Sequence, residues 1–265
     1  MTEPTKMRAV GIICGMGPEA TVLLMSRVIN LTPASDDSDH VPMLIDNNTQ
    51  IPSRIKAIIE KTGEDPGPVL VAMAHRLAEA GAEALAMPCN TAHYYAPVLK
   101  EAVSIPFLDM VELTADYIAR LYGSVDSSGG HRVGMLASPA IRITGVFDRA
   151  FAARGLYPVY PQNQDAMLAC IKAVKAAGRS DTAIELLQNA ALELMTARVD
   201  LLLVACSELS LIKDSLPDGI NVVDSIDVLA EAVIAFSLDG LARTLTSGRE
   251  KTAAMSAHLN GTISQ

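Results

Sequence analysis

Two cysteines follow apolar runs at matching places in the two halves of the chain. Cys89 lies in Ala86-Met-Pro-Cys-Asn-Thr-Ala-His93, and Cys206 lies in Leu203-Val-Ala-Cys-Ser-Glu-Leu209. An apolar run that gives way to a polar residue and a helix start is typical of a buried parallel strand. Open α/β sheets carry their chemistry at the carboxyl ends of such strands. Two thiols across a cleft could act as base and acid on opposite faces of one carbon.

The two halves repeat more than the cysteines. Three landmarks recur in order: an apolar strand that opens the half, the cysteine, and a last strand that ends in aspartate. They are Val10-Gly-Ile-Ile, Cys89 and Asp109 in the first half, and Val133-Gly-Met-Leu, Cys206 and Asp224 in the second. A helical pattern follows each last strand, over 112–121 and 227–238. The repeat predicts an α/β fold of two pseudo-symmetric domains, each a parallel sheet flanked by helices, with the active site in the cleft between them.

Length and composition agree with two domains. A chain of 265 residues can hold two separate cores. Half of the residues are apolar and only 4% are aromatic, which suits helices packed on a parallel sheet. We predict that 1–113 and 224–245 form the first domain, with Cys89, and that 114–223 form the second, with Cys206. A polar tail is predicted over 246–265 and a hinge over 124–130.

The charge and the apolar runs exclude several classes of protein. The formal net charge is −9 and the sequence pI is near 5.0, without the basic stripe that nucleic-acid binding needs. No apolar run reaches the roughly 18 residues of a membrane span, and Met1 to Arg8 is polar rather than a signal peptide. We therefore predict a cytoplasmic protein without a nucleic-acid or membrane partner.

The four cysteines have no C-x-x-C spacing, so in that compartment they are expected to be thiols rather than disulfides or zinc ligands. Cys14 lies inside the first predicted strand and Cys170 on the apolar face of a helix, as small buried hydrophobic residues do. The repeated position of Cys89 and Cys206 makes these two the candidate catalytic residues.

Four motifs together carry a resemblance to a known family. They are Gly15-Met-Gly-Pro, Gln50-Ile-Pro-Ser-Arg54, Pro88-Cys-Asn-Thr-Ala-His93 and Cys206-Ser-Glu-Leu209. From about Met7 to Phe236 the chain resembles the aspartate/glutamate racemases, the cofactor-independent amino-acid racemases, and most of all their aspartate racemase branch. The resemblance implies a homodimer that needs neither pyridoxal phosphate nor a metal, with one thiol from each domain flanking the amino-acid substrate.

The chemistry of racemisation fits these thiols. The α-proton of an amino acid is very weakly acidic, so its removal needs a base on one face and an acid on the other. A thiolate can be that base if something lowers its pKa from about 8.5. Both cysteines are predicted where a strand passes into a helix, so backbone N–H groups and the positive helix end could stabilise the thiolate. Those N–H groups, with Asn90, Thr91 and Ser207, could hold the substrate α-carboxylate.

An acidic substrate needs a cation for its second carboxylate. Arg54 is our first choice because a guanidinium binds a carboxylate bidentately. Lys175 falls where the resemblance implies a substrate-contacting lysine, although it could equally serve the helix dipole. Glu208 could hold the substrate amino group or only stabilise a helix start, and His93 could tune Cys89 or simply cap or pack. The remaining predicted substrate-binding residues are Met16, Asn47 and Gln50.

The chain departs from the family pattern in two places that bear on the substrate. The second cysteine motif is commonly Gly-Cys-Thr-Glu and here is Ala205-Cys-Ser-Glu208. Ser138 and Ile141 stand where relatives tend to have two threonines, and Ile141 could weaken a polar contact or narrow the site. Because both cysteines are present, we predict racemisation of an acidic amino acid, with aspartate favoured and glutamate as the other candidate.

Three other functions remain open at this stage. Gly15-Met-Gly-Pro-Glu-Ala20 fits a loose dinucleotide fingerprint with Asp46 as its acid, which would indicate a nicotinamide dehydrogenase. Asp46 is, however, further along than the fingerprint's roughly 20 residues, and this alternative leaves the cysteine repeat unexplained. A related-fold cysteine isomerase or decarboxylase could act on a small dicarboxylate. A non-catalytic small-molecule binder would keep the cleft without the reaction.

Overall fold

The computed structural model describes residues 7–122 and 130–239, which form two parallel four-stranded sheets. The predicted tail, and the predicted hinge except Gly130, lie outside the described residues. The first sheet has the strand order β2-β1-β3-β4 and the second the order β6-β5-β7-β8. The strands are β1 Val10–Cys14, β2 Met43–Asn47, β3 Ala84–Ala86, β4 Phe107–Leu108, β5 His131–Ala137, β6 Leu156–Val159, β7 Leu201–Ala205 and β8 Asn221–Asp224.

Helices connect and flank the strands. They are α1 Pro18–Leu31, α2 Gly67–Glu79, α3 Ala96–Ala102, α4 Met110–Tyr122, α5 Pro139–Thr144, α6 Val146–Ala152, α7 Gln164–Ala177, α8 Asp181–Thr196, α9 Ser207–Ser210 and α10, which covers 225–239. A π-helical turn covers Ile55–Glu60, and short 3₁₀ turns cover Asp37–Asp39, Thr91–Tyr95 and Lys213–Ser215. No helix in the described ranges is both long and apolar enough to span a membrane.

Equivalent strands of the two sheets are built alike, which confirms the predicted α/β fold. Gly11 of β1 and Gly134 of β5 both lie against apolar side chains, and a Cβ on either would come within 2.9 Å of a leucine methyl group. Asp109 and Asp224, which follow β4 and end β8, each accept a hydrogen bond from the backbone N–H two residues on. Each aspartate thereby caps the helix that follows its strand.

The helix after each sheet packs on the opposite sheet. Buried side chains of α4, including Val111 and Ile118, join the core around β5 and β7. Buried side chains of α10, including Leu229 and Val233, join the core around β1. Fully burying an aliphatic side chain of this size contributes roughly 1.5–3 kcal/mol. The exchange of helices therefore ties the two sheets together and fixes the cleft between them.

Candidate active site

One cavity of about 150 Å³ is lined by residues from both halves of the molecule. The π-helical turn Ile55–Glu60, which follows the first sheet's second strand, reaches α5 of the second half and encloses the cavity. Its lining residues are Met16, Ser53, Arg54, Ile55, Cys89 and Thr91 from the first half, and Ser138, Ile171, Lys175, Cys206 and Glu208 from the second.

The two cavity cysteines leave equivalent strands. Cys89 follows β3, which lies between β1 and β4, and Cys206 follows β7, which lies between β5 and β8. Both strands are fully buried apolar runs, which fixes their direction and delivers each cysteine at the carboxyl edge of its sheet. Both thiols are free and buried. The two cysteines at repeated positions in the sequence therefore line the same cavity.

Cys206 has an anionic neighbour. Its Sγ donates a hydrogen bond to Oε2 of Glu208 at 3.1 Å, and Oε1 of the same carboxylate pairs with Nζ of Lys175. Burial raises the pKa of the Cys206 thiol well above its ordinary value. The negative charge of Glu208 and its hydrogen bond with the thiol add to this rise. The backbone N–H of Glu208 and the Lys175 charge oppose that rise. This thiol is held protonated.

Cys89 has a cationic neighbour instead. Burial raises the pKa of its thiol, while the charge of Arg54 is the largest effect in the opposite direction. A hydrogen bond from the backbone of Ala92 and the charge of Lys175 also lower the pKa, and Glu208 adds to the rise. Of the two thiols, Cys89 has the surroundings that better stabilise a thiolate.

The expected lowering of the thiol pKa by helix ends needs a correction. The elements after the cysteines are only a five-residue 3₁₀ turn, Thr91–Tyr95, and the four-residue α9. A short turn has little macrodipole, so the local stabilisation comes from single N–H groups of Ala92 and Glu208. Burial outweighs these groups, and the pKa of each thiol lies above its ordinary value.

Arg54 is the cation of the cavity without a carboxylate partner among the described residues. Its Nη1 donates to the backbone oxygens of Pro52 at 2.8 Å and Ile51 at 3.3 Å. These bonds hold the guanidinium at the cavity wall. Lys175, by contrast, is paired with Glu208, so its charge is balanced. An anionic ligand in this cavity would therefore bind to the guanidinium of Arg54.

The Lys175–Glu208 pair separates the site from a second cavity of about 280 Å³. The second cavity lies against the first turn of α1 and is also lined by Ser207. Ser207 is buried, and its Oγ donates to Oε2 of Glu208 at 3.4 Å. Ser207 therefore touches the ion pair rather than the cavity that holds the thiols.

Asn90 is directed into the interior rather than into the cavity lining. Its Nδ2 donates to Oγ of Ser225 at 2.9 Å, and its Oδ1 is buried without a hydrogen-bond partner among the described residues. Asn47 and Gln50 are exposed and do not line the cavity. Oδ1 of Asn47 accepts from Oγ1 of Thr21, and Nε2 of Gln50 donates to its neighbour in the loop.

His93 braces the cysteine segment. One ring nitrogen, Nδ1, lies 2.9 Å from the backbone oxygen of Cys89, and Nε2 accepts from the backbone N–H of Met110 at 3.1 Å. An Nε2 that accepts must be unprotonated, so Nδ1 carries the proton and donates. Burial lowers the pKa of His93, which keeps the ring neutral. His93 caps and positions rather than contacting the thiol.

Four lining residues were not among the predicted site residues. Ser53 and Ile55 belong to the loop and turn that cover the cavity, Ile171 lies on α7, and Ser138 caps α5. Ser138 departs from the family pattern in the sequence, and this departure is the signal that points to it. Ile141 is fully buried in the core of the second half and does not line the cavity.

A sequence model of the Asp/Glu/hydantoin racemase family matches residues 13–233. The chain belongs to this family. The resemblance drawn from the motifs is thereby confirmed, and the chain is an isomerase of the racemase type.

Individual racemases of this family align over most of the chain. The Picrophilus torridus aspartate racemase is 31% identical, with a TM-score of 0.71, over 87% of this chain and 94% of that chain. The broad specificity amino-acid racemase RacX of Bacillus subtilis is 26% identical over 85% of this chain and 96% of its own length. A Francisella tularensis glutamate racemase, solved with D-glutamate, has the same fold at 15% identity and a TM-score of 0.62, over 88% of this chain and 81% of its own.

Within the described parts of this racemase-family chain, no three His, Cys, Asp or Glu side chains are grouped as metal ligands.

Proposed function

We propose that the protein racemises an acidic amino acid, aspartate in preference to glutamate, with Cys89 and Cys206 as the two acid–base groups. The observation that carries the proposal is the pair of free thiols that leave equivalent strands and line one small cavity. A two-base racemase needs one acid–base group on each face of the substrate α-carbon.

In one direction, the Cys89 thiolate removes the α-proton and becomes a thiol. The electron pair of the broken C–H bond stays on the substrate as a carbanion, whose charge spreads into the α-carboxylate. The Cys206 thiol then gives its proton to the opposite face and becomes a thiolate. The reverse direction exchanges the two roles, so a full cycle needs no external acid or oxidant.

The raised thiol pKa values suit this reaction. A thiolate formed in a buried site is a stronger base than one in water, because its protonated form is the favoured one. The α-proton is so weakly acidic that a strong base is needed. The drawback is that few molecules carry the thiolate at neutral pH, and Arg54 partly offsets this at Cys89.

Recognition of the substrate is assigned to charges already in the cavity. Arg54 would bind the side-chain carboxylate, since its guanidinium has no other carboxylate partner among the described residues. Asn90 does not line the cavity, so we assign it no direct contact with the substrate. Thr91 and Met16, which line the cavity, and Lys175 would complete the contacts.

Aspartate is preferred on two grounds. The cavity of about 150 Å³ is small, and the Picrophilus torridus relative, at 31% identity, is named an aspartate racemase. One extra methylene changes recognition by only about 1–3 kcal/mol, so glutamate is a close competitor. The Bacillus subtilis relative is named for broad specificity, which makes direct comparison of substrates essential.

The decisive experiment incubates the protein with each enantiomer of aspartate, glutamate and alanine in deuterated buffer. We expect deuterium at the α-carbon and loss of optical rotation for aspartate, and less of both for glutamate. Cys170→Ser is the matched control, because Cys170 is a buried thiol that donates to the backbone of Ala183 outside the cavity. Absence of exchange from every amino acid, with the protein folded, would refute the proposal in favour of a binder or another reaction.

We also propose a cytoplasmic homodimer that works without pyridoxal phosphate or a metal, as the family resemblance implies. Free thiols suit a reducing compartment. Activity should survive dialysis against a chelator and treatment with hydroxylamine, whereas iodoacetamide should abolish it and substrate should protect. Light scattering of the purified protein tests the dimer, and a monomer that is fully active would contradict that part.

A further inference from the structure

One buried serine connects the two cysteine segments. Ser225 is the first residue of α10, and its side chain has no exposed surface. Its Oγ accepts a hydrogen bond from Nδ2 of Asn90 at 2.9 Å and donates to the backbone oxygen of Val204 at 3.0 Å. Asn90 is the residue after Cys89, and Val204 lies two residues before Cys206.

The direction of these two bonds is fixed by chemistry. A hydroxyl group has one proton, and a backbone carbonyl can only accept, so Ser225 gives its proton to Val204. The serine oxygen must then accept from Asn90, which orients the amide with its NH₂ group toward Ser225. The Oδ1 atom left over is buried without a hydrogen-bond partner among the described residues.

The separation of the two thiols is the quantity that this bridge controls. Proton removal and return on opposite faces of one carbon require both sulfur atoms to be in place, and a displacement of about 1 Å can lower a rate by about 100-fold. Other contacts link each cysteine backbone to a helix start, through His93 at Cys89 and, at a longer distance, through Ser210 at Cys206. Ser225 joins the Cys89 segment to the strand that delivers Cys206.

We propose that Ser225 is a positioning residue that sets the spacing of Cys89 and Cys206 and the orientation of Asn90. This inference rests on the proposed two-thiol racemisation and adds a residue that touches neither the substrate nor a thiol. Its loss should uncouple the two half-reactions. One thiol could still exchange the α-proton, while delivery of a proton from the other face would fail.

The test compares Ser225→Ala with Ser237→Ala. Ser237 lies on the same helix, is equally buried, and donates to the backbone oxygen of Arg8 at 2.9 Å, remote from the cavity. For each protein, deuterium exchange and inversion of both aspartate enantiomers are measured together. We expect Ser225→Ala to lose inversion by about 10- to 100-fold while exchange falls by only a few-fold. Ser237→Ala should keep the wild-type ratio of exchange to inversion.

A second variant guards against a folding defect. Ser225→Cys keeps a small side chain with a weak donor and acceptor, and we expect its exchange-to-inversion ratio to lie between those of wild type and Ser225→Ala. Melting temperatures are recorded for all variants. If exchange and inversion fall in parallel in Ser225→Ala, the residue is merely structural and the inference is overturned. If the wild-type protein exchanges no α-proton, the proposed function itself is overturned, and this role with it.

Discussion

The two cysteine regions share a fold but differ in charge. Each thiol follows the same strand of its sheet, and each accepts help from a nearby backbone N–H. Cys89 lies beside the guanidinium of Arg54, whereas the Cys206 thiol donates a hydrogen bond to the carboxylate of Glu208. The repeat therefore supplies symmetric positions, and two unrelated side chains make the positions chemically unequal.

This inequality has a direction. A hydrogen bond from Sγ to a carboxylate exists only when Cys206 is a thiol, and a nearby cation favours the thiolate at Cys89. In the few molecules that carry one thiolate, we expect the thiolate at Cys89 and the thiol proton on Cys206. Such a molecule is ready for the enantiomer whose α-proton faces Cys89, and the opposite enantiomer must wait for the protons to redistribute.

The side chains that contact the backbone carbonyls of the two cysteines also differ between the halves. His93 lies four residues after Cys89 and links the Cys89 carbonyl to the start of α4. Ser210 lies four residues after Cys206, and its Oγ contacts the Cys206 carbonyl at 3.4 Å and Asp224, next to α10, at 2.9 Å. The hydroxyl of Ser210 has one proton, which the shorter distance assigns to Asp224, so its link to the Cys206 carbonyl is weaker than the link of His93 to the Cys89 carbonyl.

The largest expected effect separates the two thiols directly. Cys89→Ser and Cys206→Ser should each lower racemisation by about 1,000-fold, because each removes one of two general acid–base groups. Each variant should retain some α-proton exchange from one enantiomer, and the favoured enantiomer should be opposite in the two variants. The measurement is mass-resolved exchange from L- and D-aspartate in deuterated buffer. If both variants lost α-proton exchange from the same enantiomer, the assignment of one thiol to each face would be contradicted.

Removing the cation beside Cys89 should have the next largest effect. Arg54→Gln loses a charge-assisted contact with the substrate carboxylate, worth about 1.5–3 kcal/mol, or about 10- to 150-fold in kcat/KM for aspartate. It should also raise the pKa of Cys89, since Arg54 lowers it, so alkylation of Cys89 should need a higher pH. Arg120→Gln, on the exposed end of α4, is the control. A variant that alkylates and racemises as wild type does would make Arg54 a loop residue.

The brace of Cys89 should appear in stability. His93→Phe leaves the Met110 N–H without a partner, while the Cys89 carbonyl keeps only its bond from the backbone N–H of Ala92. We expect the free energy of unfolding to fall by about 1–3 kcal/mol. Because burial lowers the pKa of His93, the unfolded chain takes up a proton that the folded chain refuses as the pH falls below the ordinary histidine range. Wild-type stability should thus fall on acidification through that range.

The His93→Phe variant should lack this contribution to the acid-side slope. Urea unfolding at several pH values measures it, and His75→Gln on exposed α2 serves as the comparison. An identical slope in wild type and His93→Phe would mean that His93 is not held neutral.

The smallest effect should come from the anion beside Cys206. Glu208→Gln removes a charge and a strong acceptor that both raise the pKa of this thiol, so that pKa should fall. Peptide-resolved iodoacetamide labelling at pH 8 should show faster alkylation of Cys206 by several-fold, with a smaller gain at Cys89, where Glu208 is a weaker influence. Glu101→Gln on exposed α3 is the control. Equal acceleration at both cysteines would show that the two environments are less distinct than proposed.

The strands and the two cysteines could be predicted because buried parallel strands are written as continuous apolar runs. Residues that follow such runs arrive at the sheet edge whatever the loops do. The direction of loop side chains could not be predicted in the same way. Gln50 turns outward where its backbone N–H is held by the side chain of Asn48, a local bond that no apolar pattern announces.

Contacts between distant segments also could not be predicted from the sequence. The pair of Glu208 with Lys175 joins α9 to α7, and the bond from Asn90 to Ser225 joins residues 135 positions apart. Ser225 was visible only as the end of a repeated strand, because a serine before a helix is ordinarily read as a cap.

Because α4 and α10 each pack on the opposite sheet, the protein cannot complete its first core early in synthesis on the ribosome. The apolar face around Val10 and Ile12 is covered by α10, near the end of the described chain. The first half therefore emerges with an uncovered hydrophobic surface until residues 225–239 have been synthesised. Such non-local closure slows folding and leaves the nascent intermediate prone to aggregation. Isolated halves should need chaperones, whereas the two halves expressed together could complete each other.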